Sequence, residues 1–290
     1  MLYAADVEAP GLGARSASLL SLAHLTSVST SPPELVEAAA EAGFDAVSVR
    51  LSAGDLPDGR APGAAILRQA RRRLDELGRR VLDVEIARLR RDTSLDDLER
   101  LLEAGAQLGP SYLLVIGDDP DEGWMAERLS ELDRAAAPYG ITPALEFMPF
   151  SHVKTLGQAR RVVAAAEIRR PALLVDSLHV YRSGGRAADV AALDPDLLAF
   201  VHLADAPARP PEDLRREGRT DRLLPGEGGL PLAEFLEALP EGIAIEVEVP
   251  GPGPLRERAR AAAEATRRLL VGAGLARPSD EARGAPRPYK

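Results

Sequence analysis

Short apolar runs of strand length recur along the chain, and each is followed by a longer run with the 3.6-residue apolar spacing of an amphipathic helix. The predicted strands begin near Ala17, Ala46, Val81, Tyr112, Pro143, Ala172, Ala199 and Ile243. Successive starts lie from 27 residues apart (Ala172 to Ala199) to 44 residues apart (Ala199 to Ile243), close to the roughly 30 residues of a strand-helix-strand step. Eight such units predict a single α/β domain, a closed (β/α)8 barrel, rather than two domains.

Residues that begin and end helices fall where this count needs them. A glycine supplies the left-handed conformation that ends a helix, and one closes a helical run before a predicted strand at Gly43, Gly78, Gly109 and Gly140. Ser31, followed by two prolines, marks a helix start. A doubly wound open sheet shows the same local alternation, so the barrel interpretation depends on the number of units and on where the polar residues fall.

The barrel accounts for most of the chain. In this interpretation it spans residues 16–272, preceded by an N-terminal extension (1–15) and followed by a flexible C-terminal tail (273–290). No run approaches the ~18 apolar residues of a membrane helix. The first residues lack the basic and apolar pattern of a signal peptide. We therefore expect a cytoplasmic protein with no membrane partner.

Charge and cysteine content limit the chemistry. With 36 Lys and Arg against 45 Asp and Glu, the formal net charge is −9, which disfavours nucleic acid as a partner. The chain has no cysteine, so a metal site must be built from carboxylates and the four histidines. Because nearly all of the basic residues are arginine, a single arginine carries little information. We expect Arg215, Arg216 and Arg219 to be solvated.

Ionisable residues follow four consecutive predicted strands, where the chemistry of a parallel barrel is located. They are Glu146 on strand five, Asp176 and His179 on strand six, His202 and Asp205 on strand seven, and Glu246 and Glu248 on strand eight. Two-residue alternation puts Glu246 and Glu248 on the inner face of their strand, with Glu248 nearer the mouth. An oxygen-rich set with one histidine nitrogen suits Mn²⁺, Mg²⁺ or Co²⁺ better than a closed structural Zn²⁺ site.

A charged residue at one strand end is more often solvated or salt-bridged than a ligand. Four successive cases within apolar sequence, where an unpaired charge is costly, favour a functional site. Asp205 precedes Ala-Pro and is equally well explained as a loop cap. Glu246 is either a partner behind the ligands or a buried base, and the sequence leaves both alternatives open.

The motifs LEFMP, VDSLHVYRSGG, FVHLADAP, RLLPGEG and VEVP follow one another along the chain. In this order they resemble the sugar phosphate isomerase/epimerase family of xylose isomerase-like TIM barrels, which are related to AP endonuclease family 2. The resemblance extends from about Leu19 to about Leu270. It implies one divalent metal ion bound by four residues, Glu146, Asp176, His202 and Glu248. It also implies that Glu146 and Glu248 act as the acid/base pair, and that His179 and Arg222 contact substrate oxygens.

The resemblance leaves several functions open. The first is a metal-dependent isomerase or epimerase of a keto-sugar or polyol-derived ketone, which would abstract a proton and pass through an enediolate. The alternative is a dehydratase of the inosose or dehydroshikimate type, which needs the same metal and base. An AP endonuclease-like nuclease is disfavoured by the acidic charge and because predicted strands two and three end in Arg50 and Glu85 without histidine. A sugar-binding barrel without activity is disfavoured by the intact set of four ligands.

Further polar residues are expected near the substrate. Arg50 and Glu85, at the predicted ends of strands two and three, either contact substrate or pair with each other. Arg182 is a candidate for an anionic substrate group, and His24 either lines the pocket or is a hydrogen-bonded core residue. The expected partner is a small sugar or cyclic polyol, and a homo-oligomer is expected by analogy with the family.

Overall fold

The computed structural model describes residues 18–275, and within them eight parallel strands close into a barrel in sequence order. The strands are β1 (Leu20–Leu22), β2 (Ala46–Arg50), β3 (Arg80–Leu89), β4 (Tyr112–Gly117), β5 (Thr142–Glu146), β6 (Leu173–Asp176), β7 (Leu198–Leu203) and β8 (Ile245–Val247). The ring closes because β8 pairs with β1, with Ser21 opposite Glu246. The predicted (β/α)8 barrel is therefore confirmed, and strands β2 to β7 begin within one residue of their predicted starts.

Helices follow the strands, and most of them cover the outside of the barrel. They are α1 (Pro32–Glu41), α2 (Ala64–Leu77), α3 (Leu95–Ala106), α4 (Glu122–Ala136), α5 (Leu156–Ala165), α6 (Ser177–Arg182), α7 (Ala187–Ala191), α8 (Leu214–Thr220), α9 (Leu232–Glu237) and α10 (Leu255–Gly272). Short 3-10 helices occupy His24–Ser27, Ala53–Asp55, Ala137–Tyr139 and Pro195–Leu197. Ser31 caps α1 through a capping box with Glu34, and Gly78 ends α2 in the left-handed conformation at φ 61°. The local signals in the sequence thus set these helix boundaries.

Apolar side chains form two layers, one between strands and helices and one inside the barrel. The inner layer includes Leu82, Leu114, Leu174 and Phe200, which fill the bottom and middle of the barrel. Ala244, on the same face of the last strand as Glu246, belongs to this layer. The barrel interior is therefore apolar toward the bottom of the barrel. The polar residues at the C-terminal strand ends meet at the mouth of the barrel.

The structure corrects one boundary. Glu85 does not end β3, because apolar residues continue the strand to Leu89. Glu85 is instead a fully buried residue of the barrel interior, opposite Arg50 in the register of β2 and β3. No helix in residues 18–275 is long and apolar enough to cross a membrane. The predicted extension (1–15) and all but the first three residues of the predicted tail (273–290) lie outside the described residues.

Candidate active site

Three carboxylates from different strands surround one nitrogen of His202 at the mouth of the barrel. The Nδ1 atom of His202 lies 3.7 Å from Oε1 of Glu146, 3.9 Å from Oδ2 of Asp176 and 3.5 Å from Oε2 of Glu248. All four side chains are at least nine-tenths buried. The predicted set of four residues therefore comes together around one point at the C-terminal ends of β5 to β8.

Local structure orients each carboxylate. Glu146 is the last residue of β5. Asp176 is both the last residue of β6 and the N-cap of α6, and its Oδ1 accepts hydrogen bonds from the backbone N–H groups of Leu178 at 2.7 Å and His179 at 3.3 Å. This capping leaves Oδ2 of Asp176 directed at the site. The same strand end is tied to β7, because the Ser177 hydroxyl donates to the Ala204 carbonyl.

Glu246 holds the His202 ring from below. Its Oε1 lies 3.1 Å from Nε2 of His202, and its Oε2 accepts a hydrogen bond from the Ser21 hydroxyl. A carboxylate on one ring nitrogen favours a proton there and leaves the lone pair of the other nitrogen free for a metal. The Nδ1 atom is buried and has no hydrogen-bond partner. The sequence left open whether Glu246 is a partner or a base, and its position is that of a partner behind His202.

The unpaired nitrogen and the carboxylates around it show whether the residues of this site suit a divalent cation. Buried polar atoms are nearly always paired, so an unpaired histidine nitrogen facing three carboxylates needs an explanation. Asp176, His202 and Glu248 can each offer an atom within 4.8 Å of the others, and so can Glu146, Asp176 and His179. One nitrogen with several carboxylate oxygens is a donor set that divalent cations accept. The residues present fit a metal ion.

Arg222 spans two of the candidate ligands from the pocket side. Its Nη1 lies 2.6 Å from Oδ2 of Asp176, and its Nη2 lies 2.7 Å from Oε2 of Glu248. Its Nε donates to the Gly218 carbonyl at 2.7 Å, which fixes the plane of the guanidinium. Arg222 lines the pocket, as its predicted role in substrate binding requires. That role stays a prediction.

His179 lies next to the same carboxylates. Its Nε2 is 3.9 Å from Oε1 of Glu146 and 3.7 Å from Oδ2 of Asp176, and its ring packs edge-on against Phe150. Burial lowers the pKa of His179 to about 4, so that the ring is neutral at physiological pH. A neutral, buried ring that lines the pocket has the position expected for a hydrogen-bonding contact to substrate oxygens.

The pKa values of the two glutamates move in opposite directions. Burial, opposed by His202 and reinforced by Asp176 and Glu248, raises the pKa of Glu146 to about 8. Burial also acts on Glu248, but Arg222 and His202 outweigh it and hold the pKa of that carboxyl well below its usual range. Two carboxyl groups whose pKa values are driven apart are typical of an acid/base pair.

Arg50 and Glu85 pair with each other below the pocket. The guanidinium of Arg50 binds Oε2 of Glu85 through two nitrogens, and the Ser48 hydroxyl donates to Oε1. Arg50 still lines the pocket, whereas Glu85 is fully buried. Nδ1 of His24 accepts a hydrogen bond from the backbone N–H of Arg50, and Nε2 of His24 lies 2.8 Å from the Thr30 carbonyl. These contacts explain all three residues as structure, one of the two alternatives that the sequence left open for each.

Arg182 and Asp205 are also engaged in structure. Arg182 binds Glu217 of α8 through two nitrogens at 2.7 Å and donates to the Pro207 carbonyl. The carboxylate of Asp205 accepts hydrogen bonds from backbone N–H groups of the loop after β7, namely those of Gly226, Gly228 and Leu230. Asp205 is therefore the loop cap that the sequence allowed. The role of Arg182 toward an anionic substrate group stays untested.

Arg215, Arg216 and Arg219 of α8 are exposed, as the sequence interpretation expects. Arg215 and Arg219 also line the pocket, whereas Arg216 lies outside it and pairs with Asp221. The spacing of four residues puts Arg215 and Arg219 on one helix face. That spacing was a usable signal, but the general abundance of arginine concealed it.

Residues 36–269 match the family profile described as Xylose isomerase-like TIM barrel. The chain belongs to this family. Inosose isomerase of Halalkalibacterium halodurans is 34% identical over 39% of this chain and 40% of its own length. The 3-dehydroshikimate dehydratase of Pseudomonas aeruginosa is 31% identical over 72% of this chain and 34% of its own length. The chain thus spans less than half the length of these two relatives.

A solved structure supports the same fold. The structure of the IolI protein with a bound zinc atom superposes on this chain with a TM-score of 0.74 at 21% identity. The superposition covers 87% of this chain and 98% of the IolI chain. At this identity the similarity is evidence for the shared barrel. The match of the family profile over most of the chain identifies the family itself.

Proposed function

We propose that this protein is a divalent-metal-dependent isomerase or epimerase of a keto-sugar or polyol-derived ketone. The observation that carries the proposal is the unpaired Nδ1 of His202, buried among the carboxylates of Glu146, Asp176 and Glu248. These four residues would hold the ion. When bound, a divalent cation polarises a substrate carbonyl and stabilises the negative charge that develops on its oxygen.

The protein's own residues account for the proton transfer. Arg222 and His202 keep Glu248 ionised by holding its pKa low, so it can act as the base that removes a proton from the carbon next to the carbonyl. Glu146 retains a proton more readily and is the acid that returns one from its own side. Arg222 and the neutral His179 donate hydrogen bonds to substrate oxygens and orient the reacting carbon between the two glutamates.

The test is exchange of substrate hydrogen with D₂O, followed by mass spectrometry on inosose and on 3-dehydroshikimate. We expect Glu248→Gln, assayed at measured and intact metal content, to lower the exchange rate by about 10²- to 10⁴-fold. Glu227→Gln is the matched control, because Glu227 is exposed on the loop after β7 and outside the site. Exchange at the normal rate in metal-loaded Glu248→Gln protein would contradict the assignment of the base.

A dehydratase is the second candidate, favoured by the match to a 3-dehydroshikimate dehydratase over 72% of the chain. The first step is the same removal of a proton. The hydroxyl group on the next carbon then leaves and takes up a proton from the acid as water, while a carbon–carbon double bond forms. Loss of water from the product in the same mass spectra assigns the lyase, and a product that differs from the substrate only by exchanged deuterium assigns the isomerase.

The metal, location and assembly state complete the proposal. The three carboxylates favour Mn²⁺, Mg²⁺ or Co²⁺. Zinc is the necessary comparison because the similar IolI protein binds it. Metal analysis of the purified protein, followed by reconstitution with each ion, decides among them. A cytoplasmic location and a homo-oligomer remain predictions.

A further inference from the structure

Five arginines line the pocket above the candidate metal site. They are Arg50, Arg88, Arg215, Arg219 and Arg222. The carboxylates that line the same pocket are those of Asp118, Glu146 and Glu248. Such a concentration of positive charge around one pocket, in a chain of net charge −9, is a local feature that its overall composition does not explain.

The two innermost arginines already have carboxylate partners. Arg222 binds Asp176 and Glu248, and Arg50 binds Glu85, and all of these side chains are buried. Two guanidinium groups thus face three carboxylates, so the inner part of the pocket carries no excess positive charge. Any excess of positive charge must therefore lie at the outer rim of the pocket.

The rim carries more positive than negative charge. Arg88 binds Asp55 through two nitrogens, whereas Arg219 approaches the same carboxylate only at 3.6 Å. Arg215 has no carboxylate partner among residues 18–275; its guanidinium donates to the Phe150 carbonyl at 2.8 Å and lies 5.3 Å from the Phe150 ring centroid. With Asp118 included, three arginines face two carboxylates, which leaves one positive charge in excess.

Helix α8 holds these arginines over the pocket. A side-chain carbon on Gly218 would lie 3.0 Å from the Phe150 ring and 3.4 Å from the His179 ring, so glycine lets the helix pack directly on both. Arg215 and Arg219 flank Gly218 on this helix. Burial and the nearby guanidinium of Arg88 lower the pKa of Arg219, as expected where cations are crowded. A bound anion would relieve this repulsion.

We propose that the substrate carries a carboxylate, and that Arg215 and Arg219 bind it at the rim while its carbonyl end lies at the four-residue site. This inference rests on the proposed function, because it takes that site to hold the reacting end. One excess positive charge matches a monoanionic carboxylate better than a dianionic phosphate ester. Guanidinium groups offer paired N–H donors that suit carboxylate oxygens.

Calorimetric titration of the metal-loaded protein with 3,4-dihydroxybenzoate and with catechol tests the inference. The two probes share a ring with adjacent oxygens and differ only in the carboxylate, and neither requires turnover. We expect 3,4-dihydroxybenzoate to bind at least tenfold tighter than catechol, and Arg219→Gln and Arg215→Gln each to remove about tenfold of that gain. Arg216→Gln is the matched control, because Arg216 lies on the same helix but outside the pocket and is exposed.

The outcomes separate this inference from the proposed function. Equal affinity for the two probes, or equal losses in Arg216→Gln and Arg219→Gln, would overturn the carboxylate site whatever the exchange experiment shows. An affinity gain from fructose to fructose 6-phosphate larger than that from catechol to 3,4-dihydroxybenzoate would overturn the choice of carboxylate over phosphate. An arginine-dependent gain for the carboxylate supports the site even if Glu248→Gln fails to slow exchange.

Discussion

Replacing Glu246 by glutamine should weaken metal binding without removing any ligand. The carboxylate lies 3.1 Å from Nε2 of His202 and thereby presents Nδ1 to Glu146, Asp176 and Glu248. Glutamine keeps the shape but loses the charge, and its amide can face the ring with either end. In the second orientation the amide donates to Nε2, the ring proton moves to Nδ1, and the nitrogen lone pair is lost to the metal.

The size of the effect follows from the contact that is lost. A hydrogen bond to a charged group contributes about 1.5–3 kcal/mol, and 1.4 kcal/mol is a tenfold change in affinity. Partners behind histidine ligands typically change metal affinity by about 10- to 100-fold when mutated. We therefore expect the Glu246→Gln protein to bind Mn²⁺ and Zn²⁺ about 10- to 100-fold more weakly, at unchanged stoichiometry.

Competition with a chromogenic chelator measures this affinity directly, without an activity assay. Asp133→Asn is the matched control, because Asp133 is a buried carboxylate of α4 that binds Arg169 and makes no contact with the site. An affinity within twofold of the unmodified protein, or an equal loss in Asp133→Asn, would refute the role of Glu246 as the residue that orients His202.

Two further predictions concern buried carboxylates outside the ligand set. Asp83 is fully buried with neither oxygen hydrogen-bonded, and burial together with Glu246 and Glu85 raises its pKa well above the usual value. The folded chain then holds this proton more tightly than the unfolded chain, so stability from this group falls as pH rises above about 4. We expect Asp83→Asn to stabilise the protein by about 1–3 kcal/mol at pH 8 but little at pH 4, measured by urea unfolding; equal effects at both pH values would contradict this. Asp205→Ala frees the loop N–H groups of Gly226, Gly228 and Leu230 and should cost about 2–4 kcal/mol. Faster proteolytic cleavage within 222–230 checks it, and unchanged resistance would count against it.

Strand and helix positions were predictable because they depend on neighbours in the chain. The apolar spacing located β2 to β7 within one residue, and Gly78 ends α2 in the left-handed conformation expected of such a glycine. The end of β3 was misjudged, because a charged Glu85 within an apolar run looks like a strand end. Only the register with β2 shows that Arg50 lies opposite this carboxylate and neutralises it.

The candidate ligands could also be anticipated from strand ends, since parallel strands in sequence order bring their C-terminal residues to one edge. The separate roles of these residues could not be predicted from the sequence. Whether Glu246 supports His202 or acts as a buried base, and which nitrogen of His202 is free, depends on contacts between strands that are far apart in sequence.

The arginines of α8 are a second case in which the sequence does not determine where side chains lie. Their charge can be read from the sequence, but whether the exposed Arg215 and Arg219 also line the pocket depends on how a short helix packs on Phe150 and His179. Local spacing determines which residues form strands and helices, because those hydrogen bonds join near neighbours. Closure of the barrel and packing of its loops determine which charges meet, because only the folded chain places distant residues within a few ångströms.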